Sequence, residues 1–441
     1  MSIRDIIEPA VARSEAIAEI VVGNGVIAEA GAVLQRHFGG KPVRVVSDEN
    51  TRKAGAALFD ALAAAGIAVS EHVLPARPRP KPSVELGAAL AAEMGDAVPV
   101  ALGSGVINDV TKYAAFTLGR PYLCVATAAS MDGYTSAGAP LSEAGFKKTV
   151  QCRAPLAILA DLDILVGAPT EMSGWGYGDL AGKVPAGGDW IIADALDVEA
   201  IDDVAWPLVQ GNLPGWLSAP EAVRRGDPAA IADLFAGLTL AGLAMEFHRT
   251  SRPASGADHQ IAHMWEMEGL EQDGERVSHG PCVSVGAMTS LTLMDWVIGQ
   301  DLTTLDDEAI VAKAPTLAEK KAEIDAAMSP ALAARALVET EAKHLDPPAH
   351  RARLATIRTV WPALRARLSG HVMRAPAMAE LLRKAGAPVL PGEIGVSEER
   401  LVATVRAARF IRSRYTVLDL LDETGLFEAA LRNALPVREA V

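Results

Sequence analysis

The sequence predicts an α/β amino-terminal domain followed by an all-helical domain, and three observations predict it. Up to about residue 165, short β-branched segments alternate with segments of helical spacing, which is typical of a parallel sheet with helices on both faces. Beyond that point the strand patterns vanish, and segments rich in Ala, Leu, Glu and Arg run almost to the end. The length of 441 residues suits two or three domains. We therefore predict domains at 1–167 and 168–441.

The elements of the first domain follow one another with short connections. The first helical pattern ends at the Gly39-Gly40 pair, which suits a helix C-cap. Residues 75–82 are rich in Pro, Arg and Lys and predict an extended connector. In the second domain, the charged, Ala-rich segment 304–367 predicts a solvated helical hairpin. Strand patterns cover residues 42–50, 67–74, 97–105 and 121–128, and helical patterns cover 24–40, 51–66, 84–94 and 106–118.

Composition and charge exclude several classes of protein. Half of the residues are apolar and 22% are charged, an ordinary globular balance. The net charge of −14 disfavours nucleic acid and anionic membranes as partners. Three scattered cysteines without a C-x-x-C spacing fit a reducing compartment. The amino terminus carries charges where a signal peptide needs an apolar run, and no stretch approaches the roughly 20 apolar residues of a membrane helix. We expect a soluble, cytoplasmic protein.

A candidate nucleotide site lies in residues 98–113. An apolar strand is followed by the turn Gly103-Ser104-Gly105 and then by a helix. Glycines let the backbone approach a pyrophosphate closely, and N–H groups at a helix start point at its oxygens. The pattern is G-x-G-x-x-x-D, so the usual G-x-G-x-x-G fingerprint is absent. By itself, the segment fits a simple tight turn about as well as it fits the nucleotide site of a Rossmann-like domain.

Two further features fit a nucleotide cofactor. Asp48 closes an earlier predicted strand, where a carboxylate can accept bonds from an adenosine ribose and repel a 2′-phosphate. The alternative is a helix N-cap, a role for which Asn50 and Thr51 compete. The small-residue and hydroxyl-rich segment 125–140 follows another strand. It is either a surface loop or a loop that faces the cofactor, because ligands of such sheets lie beyond the carboxyl ends of strands.

One carboxylate and two imidazoles provide a candidate divalent-metal site. Asp179, His259 and His279 suit a catalytic Zn²⁺, Ni²⁺ or Fe²⁺ with a position left open for water or substrate. Their spacing over a hundred residues is not diagnostic. His263 lies four residues after His259, so the two share one face of a helix and rank equally as ligands by spacing alone. Three other aspartates could replace Asp179, namely Asp161, Asp163 and Asp189.

Several motifs in consistent order resemble the sn-glycerol-1-phosphate dehydrogenases. These belong to the superfamily of iron-containing alcohol dehydrogenases, glycerol dehydrogenases and dehydroquinate synthases. The resemblance runs from about residue 20 to 295, and the tail at 392–425 is similar to the longer bacterial branch. The motifs are GSGVINDVTKY (103–113), ATAASMDGYTS (126–136), FKKTVQCRAPLAILAD (146–161), GYGDLAGK (176–183), SRPASGADHQIAHMWE (251–266) and SHG (278–280).

The resemblance implies a dehydroquinate synthase-like fold and a role for each matched residue. Asp179, His259 and His279 would bind the metal, and Asp132, Asp179 and His263 would contact substrate. The cofactor's pyrophosphate would lie on Gly103, Ser104, Gly105, Val106, Ile107 and Asp109. The same cofactor would be lined by Thr127, Ala128, Ala129, Ser130 and Ser136. Asp258 stands where the family often has Glu, and Pro281 follows the SHG motif, which leaves fine substrate preference open.

The implied activity is a metal-dependent dehydrogenase that interconverts dihydroxyacetone phosphate and sn-glycerol 1-phosphate with NAD or NADP. We also expect a homodimer or higher homo-oligomer. Alternatives are a glycerol or other polyol dehydrogenase of the same superfamily, an NAD-binding metal-dependent lyase or cyclase, and a catalytically silent binding protein. The candidate cations for a substrate phosphate are Lys112, Lys147, Lys148, Lys183, Arg249 and Arg252.

Overall fold

A sheet of six parallel strands organises the first third of the protein. The computed structural model describes residues 3–143 and 146–435, with side chains described for all of these except 146–148. The strands of the sheet lie in the order β1-β8-β5-β4-β2-β3. These strands are β1 Glu19–Gly23, β2 Val43–Asp48, β3 Val69–Leu74, β4 Val98–Gly103, β5 Leu123–Ala126 and β8 Ala157–Asp161. Two antiparallel hairpins pair β6 Gly138–Glu143 with β7 Phe146–Gln151, and β9 Glu271–Gln272 with β10 Glu275–Arg276.

Helices connect the strands and make up almost all of the remaining chain. Those before residue 168 are α1 Ile3–Val11, α2 Ala30–Phe38, α3 Glu49–Ala54, α4 Ala56–Ala64, α5 Val84–Glu93, α6 Gly105–Thr117 and α7 Leu162–Val166. The next are α8 Thr170–Ala181, α9 Lys183–Ala195, α10 Ala205–Gln210, α11 Leu213–Trp216, α12 Pro220–Arg224, α13 Pro228–His248, α14 Ala257–Met267 and α15 His279–Ile298. The last are α16 Asp307–Lys313, α17 Leu317–Ala327, α18 Pro330–Lys343, α19 Pro347–His371, α20 Ala375–Ala385, α21 Glu398–Ala408, α22 Val417–Glu423 and α23 Phe427–Ala434. Short 3-10 helices cover Val26–Glu29, Arg252–Ala254, Leu302–Thr304 and Pro391–Ile394.

The burial of each strand explains its pattern of apolar and polar residues. Every residue of β4, β5 and β8 is buried, because helices cover both faces of a parallel sheet and the central strands become nearly continuous apolar runs. The edge strand β3 instead alternates between exposed and partly buried positions. The predicted parallel sheet is confirmed. The sequence patterns did not predict its strands β1 and β8, the helix α1 or the β6–β7 hairpin.

The strand register gathers the predicted cofactor loops at one edge. Gly103 at the end of β4 pairs with Ala126 at the end of β5. Asp48 ends β2, which is the neighbour of β4 on its other side. Since parallel strands present their carboxyl ends at the same edge, the loops that follow all three strands emerge side by side.

The second part of the chain differs from the prediction in two details. A two-residue hairpin, β9 and β10, interrupts the helices just before α15. The segment 304–367 folds into the four helices α16 to α19 rather than one hairpin. The last strand of the sheet ends at Asp161 and α8 begins at Thr170, and we propose the domain division at 167/168 on that basis.

The prediction that no segment is long and apolar enough to cross a membrane is wrong, because α13 and α15 are both long and apolar enough. The apolar windows in α13 and α15 have mean hydropathies of 1.6 and 1.3. Within the protein, 78% and 83% of these windows are buried. Many core helices of folded proteins have a similar length and composition, so these two helices are only weak evidence for membrane spans.

Candidate metal centre and active site

Three helices bring Asp179, His259 and His279 together. Asp179 lies on α8, His259 in the first turn of α14, and His279 at the start of α15. One ligand atom from each side chain lies within 4.8 Å of the other two. Asp179 and His259 are buried, whereas 29% of the His279 side chain is exposed. Three side chains that are far apart in sequence thus form a group that is open to solvent at His279.

A glycine on α15, Gly286, allows α14 and α15 to pack closely. A Cβ atom added to Gly286 of α15 would lie 2.3 Å from the backbone oxygen of Asp258 on α14. Backbone atoms cannot move aside as a flexible side chain can, so only glycine permits this approach. The contact fixes α14 against α15 beside His259, about two helical turns after His279.

Each histidine of the trio is oriented by a carboxylate. Nδ1 of His259 lies 2.5 Å from Oδ2 of Asp258, and Nδ1 of His279 lies 2.7 Å from Oε1 of Glu266. Engaging Nδ1 leaves Nε2 of each ring as the nitrogen available to a metal, a common arrangement for metal-ligating histidines. Asp258, at which the chain departs from the family pattern, therefore holds His259 directly.

His263 forms a second possible trio with Glu266 and His279. Its ring centroid lies 5.8 Å from that of His259 and 5.9 Å from that of His279. Both possible trios contain His279, whose Nδ1 is already engaged by Oε1 of Glu266. The trio with Asp179 keeps Glu266 as the residue that orients His279, and it is the candidate site for a divalent ion.

Lys183 links the metal-site carboxylate to Asp132. Its Nζ atom lies 2.5 Å from Oδ1 of Asp179 and 2.7 Å from Oδ2 of Asp132. The backbone N–H of Asp132 donates to Oδ2 of Asp179 at 3.0 Å. Lys183 is fully buried in this network and is therefore unavailable as the phosphate-binding cation suggested by the sequence. Lys183 follows Asp179 by four residues, and this spacing is the sequence feature that could have predicted the ion pair.

Charge balance decides the protonation of this network. Burial alone would raise the pKa of Asp179, but the ammonium of Lys183 and the two nearby imidazoles hold it well below its usual value. Burial would lower the pKa of Lys183, but Asp132 and Asp179 hold it above its usual value. For His259, burial is outweighed by Asp258 and Asp179, and its pKa rises to about 9. The opposite holds for His263, whose pKa is lowered chiefly by burial.

The glycine turn after β4 has the form expected of a phosphate cradle. Ser104 is the N-cap of α6 but makes no side-chain hydrogen bond to it, so the first N–H groups of the helix have no side-chain cap. Asp109 lies in the same helix, 3.6 Å from Nζ of Lys112. Lys112 is buried and donates to the backbone oxygens of Gly133 and Gly138. It therefore holds the next loop in place and does not face a phosphate.

The segment after β5 is packed against α8. Thr127, Ala128, Ala129 and Ser130 are all buried. A Cβ atom on Gly176 of α8 would lie 2.0 Å from the backbone oxygen of Ala129. The helix that carries Asp179 therefore rests directly on this segment. At the other end of the loop, Oγ of Ser136 lies 3.4 Å from the backbone oxygen of Gly133.

Asp48 caps the helix that follows it. Oδ1 accepts hydrogen bonds from the N–H groups of Asn50 and Thr51, both at 2.8 Å, and Thr51 completes a capping box. The alternative raised by the sequence, a helix N-cap, is thus present. Contact with a cofactor ribose remains a prediction for this residue.

Most of the remaining candidates have other hydrogen-bond partners, and two lie outside the described side chains. Arg252 is buried and bonded to the backbone oxygens of Asp189 and Tyr415. Arg249 is exposed at the end of α13. Arg252 is therefore engaged within the fold, and a phosphate-binding role for Arg249 stays a prediction. The side chains of Lys147 and Lys148 lie outside those described. Asp161 and Asp189 accept backbone N–H groups at other positions, and Asp163 pairs with Asn24.

Comparison with known proteins agrees with this fold. Residues 21–169 match the family model of the iron-containing alcohol dehydrogenases. The glycerol-1-phosphate dehydrogenase [NAD(P)+] of Bacillus velezensis is 37% identical over 277 residues, which are 60% of this chain and 68% of the relative. The protein of the same description from Bacillus subtilis is 30% identical over 75% of this chain and 73% of its own length.

Solved structures of the same fold cover nearly the whole chain. A glycerol dehydrogenase from Schizosaccharomyces pombe aligns with a TM-score of 0.58 at 16% identity, over 95% of this chain and 90% of its own. A maleylacetate reductase from Agrobacterium tumefaciens aligns with a TM-score of 0.57 at 17% identity, over 96% and 98%. The fold and the family match therefore define an iron-containing alcohol dehydrogenase-like protein. Within that class, the chain belongs to the glycerol-1-phosphate dehydrogenase family.

Proposed function

We propose that the protein is a metal-dependent dehydrogenase that interconverts dihydroxyacetone phosphate and sn-glycerol 1-phosphate with NAD or NADP. The observation that carries this proposal is the group of Asp179, His259 and His279, whose ligand atoms lie within 4.8 Å of one another. The family to which the chain belongs supports the substrate and the cofactor.

The three side chains would hold one divalent ion, Zn²⁺, Ni²⁺ or Fe²⁺. A carboxylate with two imidazoles is a donor set that these ions accept, and the bonds of Asp258 and Glu266 to the Nδ1 atoms direct Nε2 toward it. The bound ion would supply Lewis-acid stabilisation of negative charge on the substrate's C2 oxygen. Lys183 lowers the cost of burying Asp179 next to Asp132, because it lies between the two carboxylates.

The nicotinamide cofactor would lie across the carboxyl edge of the sheet and supply or accept the hydride. Its pyrophosphate would accept hydrogen bonds from the N–H groups of Gly103 to Ile107 and lie near Asp109, at the start of α6. The segment Thr127 to Ser130, with Ser136, would line the same cofactor. Since Gly176 of α8 rests on this segment, the cofactor would lie within reach of the metal centre.

Asp132 and His263 would position the substrate. Oδ2 of Asp132 lies 2.7 Å from Nζ of Lys183, and the carboxylate can accept a further hydrogen bond from a substrate hydroxyl. The His263 side chain is 28% exposed and lies beside both histidine ligands, where its ring can orient a hydroxyl and pass a proton to or from solvent. We further propose that the protein acts as a cytoplasmic homodimer, and light scattering on the purified protein tests its oligomeric state.

Steady-state kinetics with two ketones test the proposed reaction. The metal-loaded protein should oxidise NADH with dihydroxyacetone phosphate, with kcat/KM roughly a hundredfold above that for dihydroxyacetone, because a bound phosphate contributes transition-state binding. Comparable efficiencies would indicate a glycerol dehydrogenase-like enzyme instead. Absence of NADH oxidation with either ketone would contradict dehydrogenase activity on these substrates.

A further inference from the structure

We propose that a cavity lined by arginines, beside the metal centre, binds the phosphate group of the substrate. This inference rests on the proposed function for the identity of the substrate. The cavity has a volume of about 490 Å³ and is lined by Arg79, Arg224, Arg276 and Arg383, together with Trp175 and Ser278. We call it the arginine cavity.

The arginine cavity adjoins the metal centre through two helices. Trp175 precedes Asp179 by four residues on α8, which is about 6 Å along the helix axis. Ser278 directly precedes His279 at the start of α15. In dihydroxyacetone phosphate only one carbon and one oxygen separate the carbonyl carbon from the phosphorus. A substrate whose carbonyl lies at the metal centre must therefore place its phosphate in the immediate surroundings.

The charge of the arginine cavity is opposite to that of the whole chain. The protein carries a net charge of −14, yet the cavity combines four arginines with two acidic residues, Glu275 and Glu393. The Glu393 carboxylate already accepts hydrogen bonds from the N–H groups of Val389 and Leu390. The surplus of positive charge would attract an anion to this cavity, and the planar guanidinium group matches two oxygens of a phosphate.

Two of the arginines approach the cavity from different parts of the chain. Arg79 belongs to the connector after β3, and its Nη1 donates to Oγ of Ser278 at 2.9 Å while its guanidinium lies over the Trp175 ring. Arg276 belongs to β10, and the carboxylate of Glu271 lies 4.0 Å from its Nε. A phosphate between them would join the connector to the helical part of the protein.

Three other candidate cations for the phosphate have different roles in the fold. Lys183 bridges two carboxylates and Lys112 holds a loop. Arg252 is bonded to backbone oxygens in the core. The arginine cavity, in contrast, is an open space lined by four arginines and by Ser278, which directly precedes His279. A cofactor phosphate has the same chemistry as a substrate phosphate, so the tests must separate the two sources.

A binding test uses inorganic phosphate as the probe. Phosphate should raise the unfolding temperature of the metal-loaded wild-type protein, because a ligand stabilises the state that binds it. The double variant Arg79→Gln/Arg276→Gln should lose this increase, and Arg79→Lys/Arg276→Lys should retain part of it. The control is Arg13→Gln, which removes one positive charge from an exposed position outside the cavity. An equal increase in the double variant and the wild type overturns the proposal.

A kinetic test identifies the source of the phosphate. In the Arg79→Gln/Arg276→Gln variant, the ratio of kcat/KM for dihydroxyacetone phosphate to kcat/KM for dihydroxyacetone should fall about a hundredfold. The Lys variant should lose about tenfold, since lysine keeps the charge without the two-point geometry. The Arg13→Gln protein should keep the wild-type ratio.

Three results would overturn the proposal in distinguishable ways. An unchanged ratio with an increased KM for NADH would assign the arginine cavity to a cofactor phosphate. An unchanged ratio and an unchanged KM would show that it binds neither group during turnover. A wild-type protein that shows no preference for the phosphorylated ketone would instead remove the proposed function, and with it the substrate phosphate.

Discussion

The Nζ atom of Lys183 lies 2.5 Å from Oδ1 of Asp179, the same oxygen that lies 3.6 Å from Nε2 of His259. The Asp179 carboxylate therefore has a buried cationic partner at the start of the next helix, α9. Asp132 shares that partner through its Oδ2 atom. One ammonium thus balances two buried carboxylates that we assign to metal and substrate.

Replacing Lys183 by Met should destabilise the metal-free protein by about 3 kcal/mol or more, because two buried carboxylates lose their common counter-charge. Addition of Zn²⁺ or Ni²⁺ should raise the free energy of unfolding more in this variant than in the wild type, since the metal supplies the missing charge. Denaturant unfolding with chelator and then with metal measures both effects. The control, Lys41→Met, removes an exposed lysine and should have almost no effect. Equal stability of Lys183→Met and wild type without metal would contradict this role.

Replacing Gly176 by Ala should disturb the contact between α8 and the segment after β5. The new Cβ would meet the Ala129 backbone oxygen at 2.0 Å, so the helix with Asp179 must move relative to the proposed cofactor site. We expect kcat/KM to fall roughly a hundredfold, as misplacement of reacting groups by about 1 Å does. Gly370→Ala is the matched control, because a Cβ at that helical position meets nothing within 4 Å. Wild-type kcat/KM in the Gly176 variant would contradict the predicted coupling.

Substitutions at Asp48 separate its cap from its proposed contact with the ribose. Asn caps helices as well as Asp does, so Asp48→Asn should keep the stability while removing the charge. If the carboxylate repels the 2′-phosphate, the Asp48→Asn enzyme should show a smaller ratio of kcat/KM with NAD to kcat/KM with NADP than the wild type. Asp48→Ala should cost about 1 kcal/mol of stability through loss of the cap. A cofactor preference that both substitutions leave unchanged would restrict Asp48 to its cap.

The parallel sheet could be predicted from the sequence because the central strands β4 and β5 are buried throughout and form nearly continuous apolar runs. Strand β8 is buried to the same extent, but the helix α7 follows it directly and its pattern is not separate from that helix. The edge strand β1 is short, and its pattern does not stand out from the surrounding loop. The contact of Gly286 with Asp258 has no signature in the sequence, because it depends on how α14 packs on α15.

The proposed site could be predicted in part. Residue type and resemblance select Asp179, His259 and His279, and the structure brings them together. The roles of Lys183 and Glu266 were not foreseen, since a charged side chain in a helix is exposed far more often than buried. Arg79 and Arg276 are 197 positions apart in the numbering and approach one cavity only in the folded chain.

Glu423 should make part of the stability depend on pH. Burial raises the pKa of this carboxyl to about 7, although Arg353 and the Tyr415 hydroxyl oppose the shift. Because the folded-state pKa lies above the ordinary value of 4.5, the stabilisation is complete below about pH 4.5 and is lost as the pH rises through 7. The free energy of unfolding of wild type relative to Glu423→Gln should therefore fall by about 2–3 kcal/mol from pH 4.5 to 7.5. The control Glu15→Gln, at an exposed position, should show no such trend, and a flat difference for Glu423→Gln would contradict the prediction.

The most direct test of the proposed metal centre is the metal content of the purified protein, measured together with its activity. Wild-type protein and the control His72→Ala, whose imidazole pairs with Glu93 away from the trio, should bind about one divalent ion per chain. His279→Ala should keep its fold but lose most of the metal, and its NADH oxidation should fall at least a hundredfold. Chelation of the wild type should abolish activity, and Zn²⁺ or Ni²⁺ should restore it. Full activity in metal-free wild-type protein, or unchanged metal content in His279→Ala, would contradict the assignment of Asp179, His259 and His279 as the ligands of a catalytic metal ion.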